Sequence, residues 1–194
     1  MMRVNEIFYS LQGEGYHSGE AAVFIRLSGC NLHCPFCDTM REDGEEWLEE
    51  AIVTEVIKHP ARLVVVTGGE PALQLTPSLV EELHAAGRMV AVETNGTHPL
   101  PPNVDWVTLS PKDTFLGPQA MPVLTRSDEL KVVYDGEHEP STYDDIAVAH
   151  RFLQPMDCGD PRHNARITAA TVDYIGRHPQ WRLSLQIHKL INIK

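Results

Sequence analysis

Short apolar runs alternate with amphipathic stretches along most of the chain, which is typical of strands that alternate with helices. The runs at residues 21–27 and 62–67 are almost continuously apolar, as expected for strands buried on both faces of a parallel sheet. Polar or glycine-bearing loops follow several of these runs. We predict further strands at residues 4–9, 89–92, 104–109, 129–134 and 181–186.

The amphipathic stretches between the runs predict helices. Residues 46–59 place apolar side chains at helical spacing behind an acidic start. Thr76 followed by Pro77 predicts the start of a second helix, which Gly87 ends. The remaining helices are predicted at 141–149 and from Thr168, as N-cap, to just before Pro179.

This order of elements predicts an α/β fold. Strands that alternate with helices form a mostly parallel sheet with right-handed crossovers. The loops after about six strands could converge on one rim, as in a partial (β/α) barrel. At 194 residues the chain is expected to form a single domain spanning 1–194.

Composition and charge narrow the function classes. The chain is 42% hydrophobic and 22% charged, an ordinary globular composition. Its net charge of −11 argues against a nucleic-acid or membrane-surface partner. Without a membrane-spanning run or a signal peptide, clustered cysteines predict the reducing cytoplasm.

Three of the four cysteines lie close together, within residues 29–39. Cys30, Cys34 and Cys37 have the spacing C-x3-C-x2-C, which suits ligands of one soft metal centre. A cubane iron–sulfur cluster usually has four cysteine ligands, so three would leave one iron open to a further ligand. The alternative is a structural zinc site with His33 or His17 as fourth ligand. The cysteine loop alone leaves both interpretations open.

A second motif favours the cluster. Gly68-Gly69-Glu70 follows a predicted strand, one strand–helix unit after the cysteine loop. The two motifs in this order resemble the radical S-adenosylmethionine (SAM) superfamily. In that superfamily SAM chelates the open iron, an electron from the cluster cleaves SAM to a 5′-deoxyadenosyl radical, and the glycine motif holds the SAM amino group.

A narrower resemblance covers nearly the whole chain and is to the 7-carboxy-7-deazaguanine synthase family. It rests on residues 8–15, 24–26, 37–39, 93–97, 110–112, 153–157 and 183–189. The resemblance implies a reduced and modified (β/α)6 radical SAM barrel. It also implies a carbon–nitrogen lyase that converts 6-carboxy-5,6,7,8-tetrahydropterin to 7-carboxy-7-deazaguanine and ammonia, in queuosine biosynthesis. A [4Fe-4S] cluster, SAM, Mg²⁺, a homodimer and an electron donor such as flavodoxin or ferredoxin are implied as well.

The resemblance also implies roles for individual residues. Cys30, Cys34 and Cys37 would hold the cluster, and Thr39 would contact Mg²⁺. The substrate site would comprise Leu11, Gln12, Gly13, Arg26, Thr94 and Lys194. The residues on the SAM side would be Asp38, Gly68, Gly69, Glu70, Gly96, Ser110, Pro111, Lys112, Gln154, Pro155, Met156 and Asp157. Asp38 is expected to shape the cluster loop rather than to bind metal, and Cys158 is expected to be a free thiol.

Arg26 has two interpretations from residue chemistry alone. An arginine in an apolar strand needs an acidic partner, which could be an internal glutamate or a substrate carboxylate. Two rival functions also follow from the motifs. One is a radical SAM activating enzyme that docks a large partner protein, and the other is a zinc-stabilised binding module without catalysis.

Overall fold

The computed structural model describes residues 1–37, 43–140 and 143–194. Nine strands in this part of the chain form one sheet in the order β3-β1-β2-β4-β5-β6-β7-β8-β9. The strands are β1 (Met2–Leu11), β2 (Ala21–Leu27), β3 (Glu45–Trp47), β4 (Leu63–Gly68), β5 (Met89–Thr94), β6 (Trp106–Leu109), β7 (Arg126–Tyr134), β8 (Ala147–Pro155) and β9 (Arg182–Leu183).

The sheet is mostly parallel, as predicted. From β2 to β9 every neighbouring pair is parallel, and the antiparallel pairs are those that β1 forms with β2 and with β3 at one edge. Parallel strands bring their carboxyl ends to one edge of a sheet, where ligand sites form in α/β proteins. The predicted α/β class is confirmed, whereas a single domain over 1–194 stays a prediction.

Few of the connections contain a long helix. The helices are α1 (Glu49–Val56), α2 (Pro77–Ala85), α3 (Asp113–Leu116), α4 (Pro161–Arg177) and α5 (Ile187–Leu190). The main core lies where α1 and α2 cover β2, β4 and β5. No helix in the described part of the chain is long and apolar enough to cross a membrane.

Four predicted elements differ from the structure. The helix predicted over 141–149 begins outside the described residues, at 141 and 142, and its described part is wrong, because β8 begins at Ala147 and pairs with β7. Thr168 lies inside α4, which begins seven residues earlier behind the N-cap Asp160. The helix predicted over 46–59 begins only at Glu49, since Glu45–Trp47 pairs with β1. The last strand, predicted over 181–186, is only Arg182–Leu183.

The loop between β1 and β2 reaches far across the sheet. The amide of Gly15 donates to the hydroxyl of Ser184 (3.0 Å), and the amide of Tyr16 donates to Glu129 on β7 (3.0 Å). These contacts join the first strands to the last ones. The sheet therefore encloses a space, with the loop residues 12–16 on one side of it.

Candidate active site

A cavity of 530 Å³ opens at the carboxyl ends of the parallel strands. Its lining comes from the ends of β2, β4, β5, β6, β7 and β8, from the loop after β1, and from the C-terminal segment. Within the described chain, almost every residue assigned a ligand by resemblance lines this cavity. Gly96 and Pro111 are the exceptions, since neither residue lines the cavity.

The cluster loop follows β2 directly. Cys30, Cys34 and Cys37 all line the cavity, and the amide of Cys37 donates to the carbonyl of Cys34 (3.1 Å), so this part of the loop is a turn. Burial raises the pKa of the Cys30 and Cys34 thiols. A free thiolate is therefore disfavoured in this environment, whereas coordination to a metal deprotonates a thiol.

The two metal centres that the cysteine spacing allows differ in the arrangement of sulfur atoms that they need. In the described part of the chain, no three His, Cys, Asp or Glu side chains converge on one ion position. Tetrahedral zinc needs such convergence, with each sulfur about 2.3 Å from the metal. A cubane binds each cysteine through a different iron and so needs a wider triangle of sulfurs.

The proposed zinc partners do not complete a site. His33 is exposed and does not line the cavity, while the ring of His17 packs against Trp106 with centroids 4.6 Å apart. Cys158 is also exposed and lies outside the cavity lining, where its thiol contacts Asn164. The three clustered cysteines remain the predicted ligands of the cluster.

The glycine motif is hydrogen-bonded to the start of the cluster loop. The amide of Gly69 donates to the carbonyl of Leu27 (2.8 Å), and the amide of Glu70 donates to the carbonyl of Gly29 (2.9 Å). A Cβ on Gly69 would collide with that Gly29 carbonyl, and Gly68 has a φ of +111°. Only glycine permits this approach, which places both motifs at one side of the cavity.

Glu70 is buried and organises the loops around it. Its carboxylate accepts from the hydroxyl of Thr94 (2.6 Å) and from the amides of Ala72 (3.0 Å) and Asn95 (2.7 Å). A carboxylate has about four lone-pair sites. Three of them are occupied here, so Glu70 ties β4 to β5 and retains capacity for one further donor.

Lys112 is a half-buried cation whose ammonium is hydrogen-bonded to neutral groups. Its ammonium donates to the carbonyl and the hydroxyl of Ser110, both at 2.6 Å. Burial lowers its pKa, and the neighbouring Cys34 opposes that shift. A half-buried cation of this kind favours an anionic ligand in the cavity.

The end of β8 contributes Gln154, Pro155, Met156 and Asp157 to the cavity lining. Asp157 accepts from the ammonium of Lys189 at 2.8 Å. That bond, together with the amides of Gly159 and Asn164, lowers the pKa of Asp157 to about 2. The C-terminal segment is thereby attached to the strand end that borders the cavity.

Arg26 is paired with an internal glutamate and also lines the cavity. Its Nε donates to Glu6 (3.0 Å), and its guanidinium lies 5.5 Å from the ring centroid of Phe8. Lys194 forms an ion pair with the same glutamate and lies 5.0 Å above the same ring. Two cations therefore share one carboxylate at this end of the cavity.

A buried charge network that the sequence analysis missed lies at the other end. The ammonium of Lys131 contacts Glu14 and lies 3.3 Å from Glu93. Gln12 donates to Glu93 (3.0 Å), and Gln186 donates to Glu14 (3.0 Å). Burial alone would raise the pKa of Glu14, but Lys131 lowers it to about 2, and the two glutamates raise the pKa of Lys131.

A sequence signal for this network exists in β7. Glu129 and Lys131 alternate with Leu130 and Val132, so both charged side chains lie on one face of a mostly buried strand. Such residues indicate a buried polar site. Their partners, in the loop after β1 and at the end of β5, are far apart in sequence and follow only from the fold.

The comparison with known proteins gives the family. A model of the radical SAM superfamily matches residues 24–112. A 7-carboxy-7-deazaguanine synthase of Bacteroides thetaiotaomicron is 53% identical over 195 residues, covering 100% of both chains. The chain belongs to the 7-carboxy-7-deazaguanine synthase family.

Other members of the 7-carboxy-7-deazaguanine synthase family are similar over almost their whole length. The synthase of Bordetella pertussis is 45% identical and covers 98% of both chains. The crystal structure of QueE from Escherichia coli has a TM-score of 0.75 at 29% identity, covering 96% of this chain and 94% of that one. Membership confirms the predicted enzyme and its radical SAM fold, and the superfamily implies a [4Fe-4S] cluster and SAM as cofactors.

Two residues assigned by resemblance to the 7-carboxy-7-deazaguanine synthase family cannot be placed. Asp38 and Thr39 lie outside the described residues. The roles predicted for them, and the individual roles of the residues that line the cavity, stay predictions.

Proposed function

We propose that the chain converts 6-carboxy-5,6,7,8-tetrahydropterin to 7-carboxy-7-deazaguanine with release of ammonia, in queuosine biosynthesis. One observation supports this most strongly. The cysteine loop, the glycine motif and Arg26 all open into the same cavity. When bound, the cluster and SAM supply the radical chemistry, which the protein has to direct at a single substrate.

The residues that line the cavity have different roles according to their position. Cys30, Cys34 and Cys37 hold the cluster at one side, and the backbone of Gly68 and Gly69 lies against the start of that loop. Lys112, with Ser110, supplies the positive charge that a SAM carboxylate requires. Gln154–Asp157 forms the opposite wall of the cofactor side.

The acidic end of the substrate belongs at Arg26. Its Nε is bonded to Glu6, and a guanidinium is a planar, permanently charged group whose geometry suits a carboxylate. Leu11, Gln12, Gly13, Thr94 and Lys194 line the rest of the substrate side. The cations of Arg26 and Lys194 at this end of the cavity suit a small acidic molecule.

Mg²⁺, the electron donor and the assembly state belong to the same proposal. A neutral threonine is a weak magnesium ligand, so Mg²⁺ would bridge Thr39 and the substrate carboxylate. The enzyme would act as a homodimer in the cytoplasm, as a single radical SAM domain. It would be reduced by a donor such as flavodoxin or ferredoxin.

Substitution of Arg26 tests the substrate side separately from the cofactor side. We expect Arg26→Ala to retain iron and bind SAM normally, while kcat/KM for the carboxylated pterin falls roughly 30-fold or more, because a charged hydrogen-bond partner is lost. Arg26→Lys keeps the charge and should be intermediate. Arg166→Ala on the exposed face of α4 is the matched control. Unchanged turnover in Arg26→Ala would contradict the proposed substrate position.

A further inference from the structure

Glu129 is a buried carboxyl group that lies outside the lining of the cavity. It is 2% exposed and belongs to β7, two residues before Lys131 on the same face of the strand. One of its oxygens accepts from the amide of Tyr16 at 3.0 Å, and the other has no hydrogen-bond partner within the described part of the chain. Burial raises the pKa of Glu129, although the ammonium of Lys131 opposes this shift. The hydrogen bond to Tyr16 is therefore the contact through which Glu129 acts on its surroundings.

The loop after β1 lies directly against this carboxyl group. Gly15 has a φ of +64°, and a Cβ there would collide with Oε1 of Glu129, so only glycine allows the loop to come this close. The amide of Gly15 donates to the hydroxyl of Ser184 (3.0 Å), which in turn donates to Gln154 on β8 (2.9 Å). The loop is thus held by β7 on one side and by β8, through the residue after β9, on the other.

The aromatic rings of the loop pack onto the sheet beside Glu129. The ring centroid of Tyr16 lies 4.8 Å from that of Trp106 and 4.5 Å from that of His150, which is in register with Glu129. The ring of His17 lies 4.6 Å from that of Trp106. Packing of this kind fixes the two rings, and the hydrogen bond to Glu129 fixes the backbone at Tyr16.

The residues just before Tyr16 line the cavity. Gln12, Gly13 and Glu14 all belong to the lining, and the ammonium of Lys131 contacts Glu14. One residue separates Glu14 from Tyr16, and it is a glycine, whose backbone adopts many conformations. Local backbone preference therefore does not fix residues 12–14, and their position depends on the contacts on either side of them.

We propose that Glu129 is a positioning residue for the substrate site, which fixes residues 12–14 in the cavity by accepting from the amide of Tyr16. Glu129 does not touch the substrate and acts through this loop. The inference rests on the proposed function and adds to it the group that holds one wall of the substrate side in place.

Glu129 performs this role as a neutral hydrogen-bond acceptor. Glu14 and Glu93 already share one ammonium, that of Lys131. A third buried carboxylate beside them would add a negative charge without a further cation in the described part of the chain, which is costly. An uncharged acceptor of the same length should therefore replace Glu129.

Steady-state kinetics separate positioning from stability. Turnover of 6-carboxy-5,6,7,8-tetrahydropterin is measured for the anaerobically reconstituted proteins, together with iron content and SAM binding. Glu129→Met keeps the length of the side chain and leaves the amide of Tyr16 unpaired. We expect its KM for the pterin to rise about 10–100-fold, while kcat, iron content and SAM affinity change less than about threefold. A merely structural role would lower kcat and iron content together and leave KM unchanged.

Three further variants complete the experiment. Glu129→Gln keeps a neutral carbonyl acceptor and should recover most of the wild-type KM. Glu129→Asp keeps the chemical group but shortens its reach, so its KM should lie between those of the wild type and Glu129→Met. Glu81→Met on the exposed face of α2 is the matched control and should have wild-type kinetics.

A wild-type KM in Glu129→Met would overturn the positioning role, and so would a KM in Glu129→Gln as high as that in Glu129→Met. If Glu129→Met does not fold, Glu129→Asp decides, and a wild-type KM in that variant would overturn the role as well. Failure of the proposed function gives a different result. In that case the wild type binds SAM but does not convert the pterin, and the inference falls with the function.

Discussion

At the residue scale, Lys131 shows how charge pairing holds the substrate side of the site together. Its ammonium is buried between Glu14 and Glu93, which belong to a loop and to β5 respectively. Removing one partner of a buried pair leaves an unpaired buried charge, which costs more than the pair contributes. The positions of Glu14 and Glu93 at the cavity thus depend on a residue of a third element.

We predict that Lys131→Met lowers the free energy of unfolding by about 3–5 kcal/mol at neutral pH, since it leaves two carboxylates buried without their cation. Lys58→Met removes an ion pair with Glu55 on the exposed face of the protein and should cost less than ~1 kcal/mol. Chemical denaturation of the reconstituted protein under anaerobic conditions measures both. An equal loss of unfolding free energy in the two variants would contradict the assignment of Lys131 as the cation of a buried network.

The difference in the free energy of unfolding between the wild type and Lys131→Met should depend on pH. The folded pKa of Glu14 is lowered to about 2, so its stabilising effect is present above its unfolded pKa and is lost as pH falls towards 2. The folded pKa of Lys131 is raised, so its effect persists until pH rises beyond the ordinary lysine range. The advantage of the wild type over Lys131→Met should therefore be constant near neutral pH and shrink below about pH 4. An advantage that does not shrink in acid would contradict the pairing.

A second residue-scale prediction concerns Thr39 and magnesium. One neutral hydroxyl binds Mg²⁺ weakly, so substrate and magnesium should each tighten the binding of the other by the same factor. Thr39→Val removes the oxygen and keeps the shape, and it should raise the magnesium concentration needed for half-maximal rate without changing iron content or SAM binding. Thr54→Val on the exposed face of α1 is the control. Equal magnesium dependence of the rate in the wild type, Thr39→Val and Thr54→Val would show that Mg²⁺ binds at another position.

At the scale of elements, the glycine motif and the cluster loop behave as one unit. Two backbone hydrogen bonds join them, and Gly69 approaches the Gly29 carbonyl too closely for any side chain. The sequence showed both motifs and their order. It could not show that their backbones touch, because that contact depends on the parallel pairing of β2 with β4.

We predict that Gly69→Ala destabilises the protein by about 1–3 kcal/mol, because the added methyl group has to displace a backbone carbonyl. Iron retention and SAM affinity should fall together, since the displaced carbonyl belongs to the cluster loop. Gly176→Ala in α4 meets no atom within 4 Å and should be neutral or slightly stabilising. Iron content, SAM binding and thermal unfolding are measured for both variants. Normal SAM binding in Gly69→Ala would contradict the coupling of the two motifs.

At the scale of the whole molecule, the fold could be predicted further than the site. The apolar runs gave seven of the nine strands at least in part, and the motifs gave the family, which the relatives confirm. β8 was missed because its pairing with β7 overrides a local helical pattern, and β3 because three residues at an edge leave little signal.

The site was predictable where motifs are continuous in sequence and not where it depends on distant contacts. The cysteines, the glycine motif and Arg26 were all identified, and the structure brings them to one cavity. The pairing of Arg26 with Glu6 and the network of Glu14, Glu93 and Lys131 join separate strands. Residue chemistry left the partner of Arg26 undecided. It gave no indication of which residues form the network around Lys131.

The central claim is that one cavity joins a radical-generating side to a site for a carboxylated pterin. The most direct measurement is anaerobic turnover of 6-carboxy-5,6,7,8-tetrahydropterin by the reconstituted protein with SAM, Mg²⁺ and a reductant. The account predicts 7-carboxy-7-deazaguanine and ammonia in equal amounts, formed only when SAM and the cluster are both present, and no ring contraction of a tetrahydropterin that lacks the carboxylate. SAM cleavage by cluster-loaded protein that leaves the carboxylated pterin unconverted would contradict it.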